Sequence, residues 1–291
     1  MFFQAAGATD PIYRRVRDGT QAHEIEGRAF IERMWKSCAQ YLDGNLAQRA
    51  PTNGLVSSFW ELYLAHALET HGVRLVSRSR RVPRREGPDL FAESPDVWVE
   101  AVAATPGTGL DALASRDGNL PIDQFVLRLR EAIDKKSVQL AEHARRNYIR
   151  TGQATVIAIS GALLPYRFNE QPVPYVVRAV LGVGNLVLEY ERATLKPIGK
   201  SLEFRDEVKK VSTSSVNTGI FLNDEYSHVS AVLYSRSCWV YHPQIAGAEF
   251  IVIHNRRAQA PLPDGWFPLG NEYWLDGTGL RHTRHAINDE R

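Results

Sequence analysis

The sequence predicts a mixed α/β fold in which helices flank a central β-sheet. Three observations predict it. Between residues 55 and 160, segments of helical and strand periodicity follow in the order helix, strand, strand, strand, helix, strand. The last of these strands, "ATVIAISG", is a continuous apolar run of the kind buried on both faces. Residues 166–291 add further strand signals, so the sheet either grows or gains a small second layer. With 291 residues and 44% apolar content the chain can bury a large core. No internal repeat or low-complexity linker divides it. It reads as one composite domain: a helical segment at 1–54, a core at 55–165 and a strand-rich C-terminal extension at 166–291.

Each element has its own signal. Residues 24–48 place Phe30, Ile31, Met34, Trp35, Cys38, Tyr41 and Leu42 at helical spacing, until "RAPTNG" interrupts the pattern. A second helix, "LVSSFWELYLAHALETHG", stops at Gly72, a common position just past a helix end. A short strand "VRLVS" precedes the arginine-rich "RSRRVPRREG". Then "DLFAE" and "DVWVEAVAA" flank Ser94-Pro95-Asp96, a turn signal, and form a hairpin. Residues 105–121 form a Gly/Pro-bearing loop, and residues 122–149 carry the longest helical pattern in the chain. Beyond residue 166, "YVVRAVLGVG", "NLVLEYE", "VSAVLYSR" and "EFIVIHN" read as strands. "RHTRH" falls in a tail expected to be unstructured.

Composition narrows the function classes. A net charge of +2 gives no global electrostatic signature of nucleic acid, although 35 basic residues leave room for a local basic face. Cys38 and Cys238 match no zinc or CxxC spacing, which fits a reducing compartment. No apolar stretch approaches the length of a membrane span, so a cytoplasmic protein with no membrane partner is expected, an effector exported without a signal being the alternative. Neither a P-loop nor a GxSxG elbow is present, and "LGVGN" is too short for a dinucleotide loop.

The informative stretch is "GPDLFAESPDVWVEAVAA", residues 87–104, which sets a carboxylate inside a strand-like apolar run. Alternation puts Trp98, Glu100, Val102 and Ala104 on one face and Val97, Val99, Ala101 and Ala103 on the other. A carboxylate so placed costs several kcal/mol unless it is paired, hydrogen-bonded or bound to a metal. Asp89, at the start of the preceding strand with ten residues between, can approach Glu100 across the hairpin. Two converging carboxylates call for a cation between them, and oxygen-only donors suit Mg²⁺ or Mn²⁺ better than zinc.

Pro88-Asp89, the ten-residue gap and Glu100 resemble the PD-(D/E)XK nuclease superfamily, the restriction-endonuclease-like enzymes. The element order from residue 55 to about 160 resembles that superfamily's αβββαβ core. The resemblance implies a divalent-metal-dependent nuclease in which Asp89, Glu100 and the Ala101 main-chain carbonyl hold Mg²⁺ or Mn²⁺, with DNA as substrate. The lysine of the motif, due two residues after the glutamate, is Val102 here. A replacement is available on the long helix, where Arg128, Ala132, Lys136, Gln139 and His143 form one stripe. Relatives with the lysine moved to this helix make Lys136 the substitute, with Gln139 beside it. The resemblance also gives Glu61, on the helix before the strands, a place near the metal. Arg80, Arg81, Arg84, Arg85 and Arg128 are then expected to hold the nucleic-acid backbone.

Other readings stay open. The basic stripe and the arginine-rich loop can be solvated faces, and Glu61 an ordinary surface glutamate. Loss of the motif lysine also fits a catalytically inactive nuclease-like module that binds nucleic acid or protein. In an unrelated α/β domain, Asp89 and Glu100 would be structural carboxylates.

Overall fold

Eight strands form one mixed sheet with helices on both faces, and local chemistry explains where each element starts and stops. The computed structural model describes residues 1–81, 87–113, 121–165, 170, 172–212, 214–277 and 279–285. Helix α1 (Pro11–Asp18) begins at Asp10, whose Oδ1 accepts the N–H groups of Ile12 at 2.8 Å and Tyr13 at 2.9 Å. Helix α2 (Ala22–Cys38) covers most of the helix expected over 24–48, whereas helix α3 (Leu46–Asn53) runs through the "RAPTN" segment expected to interrupt it, with Pro51 inside the helix. The pattern breaks after a single 3₁₀ turn at Ala39–Tyr41, because Leu42 is extended and Asp43-Gly44-Asn45 is turn-forming. Helix α4 (Leu55–Thr70) is buried almost all round.

Strands β1 (Arg74–Leu75), β2 (Leu90–Glu93) and β3 (Val97–Ala103) are antiparallel neighbours; helix α5 (Ile122–Arg145) then crosses over to β4 (Ala154–Ser160), which runs parallel to β3. Helix α6 (Tyr175–Leu181) occupies the segment expected as a strand. Pro174 stands at its start, and Gly182 ends it at φ +65°. Every residue of the helix but Arg178 is buried, so its apolar run reflects burial on all sides and not strand alternation. Strands β5 (Val183–Tyr190) and β6 (Pro197–Phe204) form a largely exposed hairpin, and β7 (Glu207–Lys209) pairs with β8 (Ser215–Asn217).

The C-terminal third returns to the main sheet through β9 (Ala231–Ser235), β10 (Ile251–His254), β11 (Gly270–Asp276) and β12 (Gly279–His285), giving the order β1-β2-β3-β4-β9-β10-β11-β12. Strands β11 and β12 add to the expected elements. "RHTRH" belongs to β12, not to an unstructured tail, and pairs along β11 from Asp276↔Gly279 to Gly270↔His285. One core lies between the sheet and α4, with Phe59, Leu62 and Tyr63 against Val97, Val99, Val156 and Phe250. The other lies under α5 and α6, where Phe125, Leu129, Ile133 and Val176 meet Trp98, Ile157, Ile159 and Val232. At roughly 1.5–3 kcal/mol per buried aliphatic or aromatic side chain, these two layers supply the main term holding the sheet in place. No helix among the described residues is long and apolar enough to cross a membrane.

Candidate functional site

The site opens where the β2–β3 ladder stops. Val97 faces Ala92 and Val99 faces Leu90, so the next rung sets Ala101 opposite Pro88. Proline has no N–H to give to the Ala101 carbonyl. The Ala101 N–H goes instead to Asp89 Oδ2 at 2.7 Å. The N–H and C=O of one strand residue point to the same side, so the Ala101 carbonyl faces the gap beside Asp89. Proline followed by aspartate thus ends the pairing and fixes a carboxylate at the break.

Glu100 lies opposite Asp89 in this register and points toward α5, as alternation requires. Its side chain is 2% exposed. Lys136 Nζ donates to Glu100 Oε1 at 2.6 Å and to Gln139 Oε1 at 3.1 Å. One turn further along the same stripe, His143 Nε2 is 3.9 Å from Glu100 Oε2. Both His143 ring nitrogens are buried without a hydrogen bond, and burial pushes the imidazole pKa down, with the Asp89 charge opposing.

Glu61 reaches the site from the opposite layer. The preceding residue ties α4 to the sheet, Trp60 Nε1 donating to the Ala158 carbonyl on β4 at 2.9 Å. Glu61 itself accepts from Arg49 of α3 at 2.5 Å. Burial, reinforced by the charge of Asp89, raises the Glu61 carboxyl to about 8. Arg49 pulls the other way but is 43% exposed, so water screens it and burial prevails. Burial and Asp89 likewise raise Glu100 to about 7, with Lys136 opposing. Three acidic groups therefore act on one another at this break in the sheet.

The donor set suits a hard divalent cation. Asp89, Glu100 and the Ala101 carbonyl offer only oxygen, and a cation there would offset the burial and the Asp89 charge that raise Glu61 and Glu100.

The expected arginines divide differently. Arg81 is 3% exposed and its guanidinium serves main-chain carbonyls: Nε to Val76 at 3.2 Å, Nη1 to Pro88 at 3.3 Å and Asp89 at 2.8 Å, and Nη2 to Tyr41. It braces the backbone of Pro88-Asp89 and has no free face for a phosphate. Arg128 lies two turns before Lys136, about 12 Å along the axis, and pairs with Glu131 at 2.6 Å. It borders a groove of about 760 Å³ in which Lys135 and Lys210 are offset by Asp111 and Asp134, a mixed surface and not a basic track. Arg80 is exposed at the end of the 3₁₀ turn Arg78–Arg80. Arg84 and Arg85 lie outside the described residues.

Two members of the site go beyond those that the sequence assigns to it. His143 stands on the basic stripe without a role, and its four-residue step from Gln139 is the available signal. Arg49 gives none, because its pairing depends on how α3 and α4 fold back on each other. Comparison with protein-family models, with curated proteins and with solved structures finds no match for this chain.

Proposed function

We propose that the protein is a divalent-metal-dependent nuclease of the PD-(D/E)XK type that hydrolyses phosphodiester bonds in DNA. The observation that carries the reading is the broken rung: Asp89, Glu100 and the Ala101 carbonyl at one gap, with Lys136 entering from α5 at 2.6 Å from Glu100. The element order α4-β1-β2-β3-α5-β4 agrees with the core that the resemblance implies.

Bound Mg²⁺ or Mn²⁺ supplies Lewis-acid polarisation of the scissile phosphate and a lowered pKa for the attacking water. The residues of the chain do the positioning. Asp89 is held by the Ala101 N–H, and its own carbonyl by Arg81, so the carboxylate and backbone at the break are fixed together. Lys136 provides the positive charge that Val102 does not, and Gln139 limits where its amine swings. Glu61 holds or releases a proton at the rear of the site, where its raised pKa lets it be neutral near pH 7.

A second reading has its own observation. The Lys136–Glu100 pair already satisfies the buried carboxylate, which a nuclease-like binding module without catalysis would also need. Incubation of plasmid DNA, single-stranded DNA and RNA with wild-type protein, Glu100→Gln and Lys136→Met in Mg²⁺ or Mn²⁺ separates the two. Cleavage by wild type and loss in both variants supports the enzyme; retained nucleic-acid binding with no cleavage in any metal supports the module.

A further inference from the structure

A second cluster of ligating side chains lies on the far strands of the sheet. In the parallel pair β10–β11, Val252 faces Glu272, and in the antiparallel pair β11–β12, Glu272 faces Thr283 and Gly270 faces His285. Period-two alternation therefore brings His254, Glu272 and His285 to one face of three adjacent strands. Asp264 arrives from the connection between β10 and β11. His254 Nε2 is 3.3 Å from Glu272 Oε1, His254 Nδ1 is 3.9 Å from Asp264 Oδ1, and His285 Nε2 is 3.1 Å from Glu272 Oε2. One ligand atom from each of His254, Asp264 and Glu272 lies within 4.8 Å of the others.

The hydrogen bonding is what marks this cluster as unfinished. His254 is 2% exposed and Glu272 is 2% exposed. Both ring nitrogens of His254 and Nε2 of His285 are shut off from water and make no well-aligned hydrogen bond, although His254 Nε2 and His285 Nε2 stand at ion-pairing distance from Glu272. The contacts are poorly aligned for hydrogen bonding, and a buried polar atom left under-satisfied is costly. Imidazole nitrogens and carboxylate oxygens that crowd together in a buried place with poor mutual alignment are arranged as ligands around a shared centre are. The oxygens are otherwise only partly committed: Gly265 N–H donates to Glu272 Oε1 at 2.9 Å, and Arg256 to Asp264 at 2.7 and 3.1 Å.

We propose that His254, Asp264 and Glu272 bind one transition-metal ion of the Zn²⁺ class, with His285 as a further donor beside Glu272. Imidazole with carboxylate is a donor set for zinc and its neighbours, and it disfavours Mg²⁺. The ion would pin the 255–269 connection onto β10 and β11, a structural clamp separate from the Asp89–Glu100 break. The clamp is independent of nuclease activity, since the two clusters share no residue.

The test uses tag-free full-length protein stripped with chelator, then titrated with Zn²⁺ against a chromophoric chelator, with metal content read by mass spectrometry and geometry by the visible spectrum of the Co²⁺ form. One Zn²⁺ per chain is expected in wild type and in Glu100→Gln, with no competition from Mg²⁺. Asp264→Asn, at an exposed loop position, keeps the fold and is expected to weaken binding ~10- to 100-fold; His254→Gln is expected to do at least as much. The proposal is overturned if wild type binds no Zn²⁺, or if Asp264→Asn binds it with unchanged affinity. Loss of Zn²⁺ binding in Glu100→Gln with retention in Asp264→Asn would move the metal to the other site and equally overturn it.

Discussion

Replacing Glu100 by glutamine removes the one feature of β3 that opposes its burial, and the size of the effect follows from the site. The Glu100 carboxyl titrates at about 7 instead of 4.5 because burial and the charge of Asp89 disfavour its ionised form. At ~1.4 kcal/mol per pH unit this gap is on the order of 3 kcal/mol, and the attraction of Lys136 is already contained in it. The sign is fixed by proton binding. A carboxyl raised in the folded state stabilises the fold below pH 4.5, and that contribution is lost as pH rises through 7. Glutamine has the shape of the protonated acid and cannot ionise. In chelator-treated protein, Glu100→Gln should therefore match wild type near pH 5 and exceed it near pH 8 by up to roughly 3 kcal/mol. Urea unfolding at several pH values measures the difference directly. A variant weaker than wild type near pH 8, by about 3–5 kcal/mol, would make the ion pair with Lys136 the dominant stabilising contact and refute the claim that burial and Asp89 govern this carboxyl.

Other outcomes follow from the same geometry. In metal-free wild type, Glu61 and Glu100 are both raised, so stability should fall from near pH 5 to near pH 8, with Glu61→Gln flattening part of the slope in a pH series of melts. Mn²⁺ at about 100 times its dissociation constant should stabilise wild type by ~2.7 kcal/mol, and Glu100→Gln by much less, in thermal melts. Lys136→Met leaves Glu100 without its 2.6 Å partner; it should destabilise the metal-free protein near pH 8 by roughly 1–3 kcal/mol in urea and abolish detectable plasmid cutting. Gly270→Ala meets a left-handed backbone at φ +82° and sets its new Cβ against the Phe250 carbonyl, so it should lower the melting temperature by several degrees while leaving the β2–β3 hairpin intact by hydrogen exchange.

The hairpin half of the candidate site is legible in the sequence because it depends on short-range periodicity. Period two places Glu100 on the face of Trp98, and the 3.6-residue period places Lys136 and Gln139 on one stripe; the structure joins the two at 2.6 Å. The reach of Asp89 across the hairpin requires only a turn between two strands. Arg81 escapes such reasoning because charge alone does not say whether a guanidinium faces water or backbone carbonyls, and its donors are taken by residues as distant as Tyr41. The strand expected at residues 175–184 fails for a related reason. An apolar run buried on every side has no period to read, and the helix ends at a glycine that a strand would simply run through. His254 and "RHTRH" carry no readable role in the sequence, since their meeting at Glu272 depends on a parallel pair and a terminal hairpin closing over long sequence separations.

The two outer strands of the sheet bear on how the folded chain behaves when crowded. An edge strand is a row of unsatisfied main-chain groups, and a second molecule can template on it. On one side that row is β1, only two residues long, with room for little more than a single pairing step. On the other side is β12, where Arg281 and Arg284 are exposed and would confront their own counterparts in an antiparallel partner. Among the described residues, one border offers two residues for pairing and the other carries exposed arginines, Arg281 held by Asp276, and both features disfavour edge-to-edge growth of the sheet.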